Sequence, residues 1–139
     1  MVNGRRLQVT GHNLNNKMQS YENLEIYQLA KKLAIEIHKI TLSKLPKFEM
    51  YEEGSQIRRS SKSIGANIVE GFGRKKYKGE YTQFLTYALA SCDETKYHLE
   101  VLYQTNIIDK GIFDNYIDNY KELGSKIYNF RKSIINSVT

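Results

Sequence analysis

The chain has 139 residues, 40% of them hydrophobic and 26% charged, with 21 Lys and Arg against 15 Asp and Glu. That is one globular domain with one core, neither fibrous nor disordered, and no apolar run reaches the roughly 18 residues of a membrane-spanning helix. The single cysteine, Cys92, excludes an intramolecular disulfide and a four-cysteine zinc site.

Residues 1–20 are rich in Asn and Gly, carry three bases and no acid, and lack periodicity, so they read as a mobile arm ahead of a domain over residues 21–139. The arm has no apolar stretch of the kind a secretory signal needs, so a cytoplasmic protein is expected. From Leu24 the pattern becomes helical: Ile26, Leu29, Leu33, Ile37 and Ile40 recur at three- and four-residue steps, with Lys31, Lys32, Glu36 and Lys39 between them. Pro46 disfavours a helical residue before it and ends this helix near Lys44. A second helix is expected from Phe48 or Glu49, with Glu49, Glu52 and Glu53 in the first turns, where the helix dipole favours acids. Ile57, Ser61, Ile64, Ile68 and Phe72 share one face, and Ser60, Gly65 and Ala66 make it small enough for a neighbouring helix to approach closely. Gly71 and Gly73 are expected to break this helix, at roughly 1 kcal/mol each relative to alanine.

A third helix follows from about Glu80 to Gln104, with Tyr81, Leu85, Ala88, Cys92, Thr95, Leu99 and Leu102 in one stripe. Asn106 suits the left-handed residue after a helix, and Asp109 suits the next N-cap. In the fourth helix Phe113, Tyr116, Tyr120, Leu123, Ile127, Phe130 and Ile134 alternate three- and four-residue steps without a miss. No stretch reads as a strand. Four helices of this length with short connections predict an all-α, up-down-up-down four-helix bundle.

The positive charge is localised. Residues 54–80 hold seven bases and two acids, whereas residues 21–53 and 81–139 are each close to neutral. Arg58, Arg59 and Lys62 lie on the second helix, and Arg74, Lys75, Lys76 and Lys78 in the turn after it. A confined basic patch is the electrostatic footprint of a polyanion binder. Tyr77 reads first as a hydrophobic staple before the third helix and second as a platform for an unpaired base. Glu70 and Arg74 have the spacing of an ordinary i,i+4 ion pair, and Asn67 sits where it can bond across a helix interface or face water. The eleven tyrosines exceed what one core can hold: Tyr87, Tyr97, Tyr103, Tyr116, Tyr120 and Tyr128 cannot all be interior. Ile117, Tyr128 and Val101 lie off the main stripes, and this second apolar surface predicts a homo-oligomer.

Catalytic chemistry is missing from the pattern. The ferritin-like di-metal spacing of Glu-x-x-His does not occur, and Glu94 and His98 read as a polar face with a surface histidine. Cys92 falls on an apolar stripe and reads as core. There is no phosphate loop or nucleophile elbow. No enzyme, cofactor or metal is expected. The reading is a non-enzymatic oligomer that binds RNA or DNA through Arg58, Arg59, Lys62 and Arg74–Lys78. The alternative is an interaction scaffold whose basic face docks an acidic protein.

Three segments carry a family resemblance. YENLEIYQLAKKLAIEIHKIT at Tyr21–Thr41, SQIRRSSKSIGANIVEGFGR at Ser55–Arg74 and KGEYTQFLTYALASCDETKYHLE at Lys78–Glu100 resemble the 23S rRNA intervening sequence proteins, over about residues 21–135. The central motif of that family is close to QIRRAxxSIPANIAEG, and Gly65 stands here where proline is common. The resemblance implies an up-down bundle assembled as a ring-shaped homopentamer. It also implies kinship with the accessory variability determinants of diversity-generating retroelements, which are basic pentamers associated with nucleic acid and a reverse transcriptase.

Overall fold

The protein is described by a computed structural model over residues 20–138. The expected mobile arm lies outside the described residues except for Ser20, whose Oγ accepts from the Glu22 N–H at 3.1 Å and caps a single 3-10 turn, Tyr21–Asn23. The long helices are α1 (Glu25–Lys44), α3 (Glu53–Phe72), α4 (Lys78–Gln104) and α5 (Lys110–Ile135), with a one-turn helix α2 (Lys47–Met50) in the corner between α1 and α3. Among the described residues there is no strand.

The helices alternate in direction around one core. Thr41 near the end of α1 meets Arg58 near the start of α3, Ser63 on α3 meets Ser91 on α4, and Arg131 late in α5 reaches Thr82 and Thr86 early in α4. Glu25 and Lys126 bring α5 back beside α1. Ile26, Leu33 and Ile37 of α1, Ile57, Ile64 and Ile68 of α3, Leu85, Leu99 and Leu102 of α4, and Tyr120, Leu123 and Ile127 of α5 fill the interior. The stripes expected from periodicity are therefore the core. Ile117 is also buried rather than belonging to a second outer face. Of the six tyrosines in question, Tyr116 and Tyr120 are buried, Tyr103 is half-buried and stacks on Phe113 at 4.5 Å, and Tyr87, Tyr97 and Tyr128 are exposed.

The helix ends follow local chemistry. Asp109 Oδ1 accepts from the Ile112 N–H at 2.8 Å and starts α5, while Asn106 takes φ 64° after α4. Two boundaries differ from expectation. The second helix does not run unbroken from Phe48: the chain leaves α2 at Tyr51, and α3 begins at Glu53, whose N–H is taken by Glu49 Oε1 at 3.3 Å. Gly71 does not break α3. It is buried within the helix, where an added Cβ would lie 3.0 Å from Phe84 Cβ and 3.3 Å from the Tyr81 carbonyl oxygen. The close approach of α4 requires the glycine there, and that requirement outweighs its poor helix propensity.

Candidate nucleic-acid interface

α3 and α4 are joined by a hydrophilic seam. Along it Glu53 pairs with His98, Ser60 with Thr95, and Ser63 with Ser91, each step forward on α3 matching a step back on α4. His98 Nδ1 lies 2.7 Å from Glu53 Oε1, Thr95 Oγ1 donates to Ser60 Oγ at 2.9 Å, and the Ser63 and Ser91 hydroxyls are 2.9 Å apart. Ser60 and Thr95 are fully buried, and their hydroxyls are satisfied by each other together with the Ile57 and Ser91 carbonyl oxygens of their own helices. His98 is buried as well, with Nε2 3.4 Å from Glu94 Oε2, which corrects the expected surface histidine. Asn67 bonds within its own helix, donating to the Ser63 carbonyl oxygen at 2.9 Å, and does not cross the interface.

The basic residues on the outer side of α3 differ from one another. Arg58 turns inward: Nη1 donates to Thr41 Oγ1 at 3.1 Å and Nη2 to the Met50 carbonyl oxygen at 2.7 Å. It thereby ties α1, the α2 corner and α3 together. Gly54, one turn earlier, makes room: a Cβ there would sit 2.6 Å from the Glu49 carbonyl oxygen and 3.1 Å from Arg58 Nη1. Arg59 points the other way and pairs with Glu94 of α4. Lys62 is exposed and makes no ion pair or hydrogen bond among the described residues.

At the far end of α3, Arg74 is held by Glu70 and Glu80, each at 3.3 Å, and lies 4.6 Å above the Phe84 ring. The expected i,i+4 pair with Glu70 is present. Lys78 reaches across to the end of α5, donating to the Ser137 carbonyl oxygen at 2.6 Å, where a helix terminus favours a cation. Lys75 stands 4.4 Å over the Phe72 ring and, like Lys76, is exposed. Tyr77 is 63% exposed at the N-cap of α4, so it is no hydrophobic staple. The bases of the sequence run thus do not form one continuous track. Sixteen residues separate Arg58 from Arg74, roughly 24 Å along the helix axis.

Among the described residues no catalytic arrangement stands out. No group of three or more His, Cys, Asp or Glu able to hold a metal ion occurs among the described residues. Cys92 is buried, donates to the Tyr120 carbonyl oxygen at 3.3 Å, and burial pushes its thiol up to about 11, the opposite of an activated nucleophile. No described helix is long and apolar enough to cross a membrane.

A crystal structure of a protein of unknown function from the S23 ribosomal protein family of Bacteroides thetaiotaomicron shares this fold. Its TM-score is 0.71 at 24% identity, over 77% of this chain and 98% of that one. No curated protein matches the sequence. The family model described as 23S rRNA-intervening sequence protein matches residues 22–129, most of the chain and all the elements that build the seam and the turn. By that match the chain belongs to the 23S rRNA-intervening sequence protein family.

Proposed function

We propose that this protein is a non-enzymatic, cytoplasmic, oligomeric helical bundle that binds RNA or another structured nucleic acid through the α3–α4 turn and the outer side of α3. The observation that carries the reading is Tyr77, 63% exposed and set in sequence beside the exposed Lys75 and Lys76. An aromatic face among cations is the arrangement that stacks a base while neutralising its phosphates, worth roughly 1–3 kcal/mol per stacked base. Lys62 adds an unpaired charge on α3. Arg59 and Arg74 are in exposed ion pairs, which contribute little and which a phosphate can replace. Arg58 and Lys78 are engaged inside the fold and contribute at most long-range field. The exposed Tyr87, Tyr97 and Tyr128 support self-association, and a homopentameric ring like that of the accessory variability determinants would repeat the turn around one rim.

The test is fluorescence anisotropy with a labelled single-stranded RNA and a structured ribosomal RNA fragment across a salt series, with light scattering to give the mass. Binding that weakens steeply with salt, and that is lost in the Lys75→Ala, Lys76→Ala, Tyr77→Ala triple variant, supports the reading. Binding indifferent to those changes places the surface elsewhere. No binding at low salt removes the nucleic-acid reading.

A further inference from the structure

α1 and α3 leave a groove along their outer side. Its walls are Tyr27, Ala34 and Ile35 from α1 and Gly65, Ala66 and Val69 from α3, and it encloses about 540 Å³. The lining runs from residue 27 to 39 on α1 and from 61 to 69 on α3. At 1.5 Å per residue the groove is roughly 12–18 Å long, two to three helical turns. The floor is deep because the residues there are small. A Cβ on Gly65 would meet only the Ala30 methyl, at 3.9 Å, so α1 and α3 touch through Ala30 and glycine. Gly65 is tight against nothing. What it does here is leave the floor open.

The rim is of one sign. Lys31 and Lys39 on α1 and Lys62 on α3 line the groove, all three are exposed, and none is in an ion pair among the described residues. Lys31 only overhangs the Tyr27 ring, at 6.0 Å. The nearest acid on α1, Glu36, is turned away and accepts from the Tyr116 hydroxyl of α5 at 2.9 Å. Ile35 remains 45% exposed in the same wall.

Each property restricts the occupant. The lining between the lysines is mostly apolar, with His38 and Ser61 its other polar residues; it selects an apolar stripe, and a length of two to three turns matches the i, i+3, i+4, i+7 ridge of a helix. Three uncompensated lysines along the rim select acidic residues beside that stripe. A small amphiphile would have most of its surface enclosed in a true binding pocket, which a trough open along its length does not provide. An RNA strand would answer the lysines but set phosphates over an apolar floor.

We propose that the α1/α3 groove docks an amphipathic helix of a partner protein, with its apolar stripe on Ala30, Ala34, Gly65 and Ala66 and flanking glutamates or aspartates on Lys31, Lys39 and Lys62. The site is separate from the α3–α4 turn and shares only Lys62 with the nucleic-acid surface. A second copy of this chain is the competing occupant. The outer side of α4 carries the exposed Tyr87 and Tyr97 together with Asp93 and Glu100.

The probe is a synthetic helical peptide with leucines at three- and four-residue spacing flanked by glutamates. Its controls carry lysine for glutamate, or serine for leucine. Anisotropy should show the full-length protein binding the leucine–glutamate peptide at least about tenfold tighter than either control, a difference of 1.4 kcal/mol or more. The Lys31→Glu, Lys39→Glu, Lys62→Glu triple variant should reverse the preference to the lysine peptide, and Ile35→Asn should weaken both. These are surface changes, and circular dichroism melts check that the fold is kept. Equal binding of all peptides, or none, overturns the proposal. So does a wild-type mass above one chain that falls to one chain in the triple lysine variant, since a second copy then fills the groove. RNA binding that persists in Ile35→Asn separates failure here from failure of the nucleic-acid reading.

Discussion

The two basic stretches of α3 and its following turn differ in where their charge is directed. Near the start of α3 the Arg58 guanidinium is bonded to Thr41 and to the Met50 carbonyl oxygen, and it holds the corner of the fold. In the turn, Lys75, Lys76 and Tyr77 are exposed to solvent. Similar densities of positive charge thus serve architecture in one place and a surface in the other. The number of bases in a segment is therefore a poor guide to the charge available for a partner. A test of the interface that substitutes Arg58 would perturb folding and binding together.

The largest expected effect separates two cations one turn apart. Arg58→Ala removes two charge-assisted bonds and leaves the Met50 carbonyl without that donor, so urea denaturation should show a loss of about 3 kcal/mol. Lys62→Ala should stay within about 0.5 kcal/mol of the parent. Equal effects would mean that Arg58 is not the clasp described. The glycines extend the contrast between interior and surface. Gly71→Ala should lower stability by about 1–3 kcal/mol through overpacking against Phe84. Gly79→Ala, with nothing within 4 Å of the new methyl in the first turn of α4, should raise the melting temperature by an amount corresponding to about 0.5–1 kcal/mol.

The turn is expected to respond more in binding than in stability. Lys75→Ala with Lys76→Ala should reduce the slope of log K against log salt on single-stranded RNA by about 1.4, two phosphates at 0.7 each. The denaturation midpoint should move only by the loss of the Lys75 contact with the Phe72 ring, about 0.5–1 kcal/mol. An unchanged slope would detach these lysines from the interface. The smallest effect concerns the acids that hold Arg74. Glu70→Gln with Glu80→Gln removes both carboxylates that hold Arg74 at a stability loss of about 1 kcal/mol, and should strengthen RNA binding by up to about fivefold. Weaker binding in that variant would show that Arg74 acts only when fixed by its partners.

Much of the architecture was legible in local sequence. The three- and four-residue alternation over Phe113–Ile134 is set by one buried helix face, and the burial of Tyr116, Tyr120, Leu123 and Ile127 follows directly from it. Asp109 and Asn106 act through bonds and dihedrals spanning only a few residues, so their roles were readable too. The break at Tyr51 was not readable, because it depends on the Glu49 carboxylate folding back onto the start of α3, with no proline or glycine at the break to mark it. Gly71 was misread for a related reason: its partners Tyr81 and Phe84 belong to the next helix. The candidate interface was the least legible part. Arg59 meets an acid 35 residues away and Lys78 meets a carbonyl 59 residues away, and nothing in a run of basic letters records such partners. His98 likewise looked like a surface residue because Glu53, its closest polar contact, lies 45 residues earlier.

The seam of hydroxyls between α3 and α4 bears on how the chain reaches this structure. An apolar contact tolerates sliding, whereas the hydroxyl pairs Ser60 with Thr95 and Ser63 with Ser91 meet across the helices at one alignment only, although Ser60 and Thr95 also bond carbonyls of their own helices. The five residues between Phe72 and Lys78 bring the two helices together with little loss of loop entropy. A short connection and a directional match favour early formation of this hairpin, with α1 and α5 closing later over its apolar side. In an all-helical bundle most contacts are local, and refolding belongs in the microsecond-to-millisecond range of helical proteins. Mutations in the seam would slow folding, while mutations on α1 would chiefly speed unfolding.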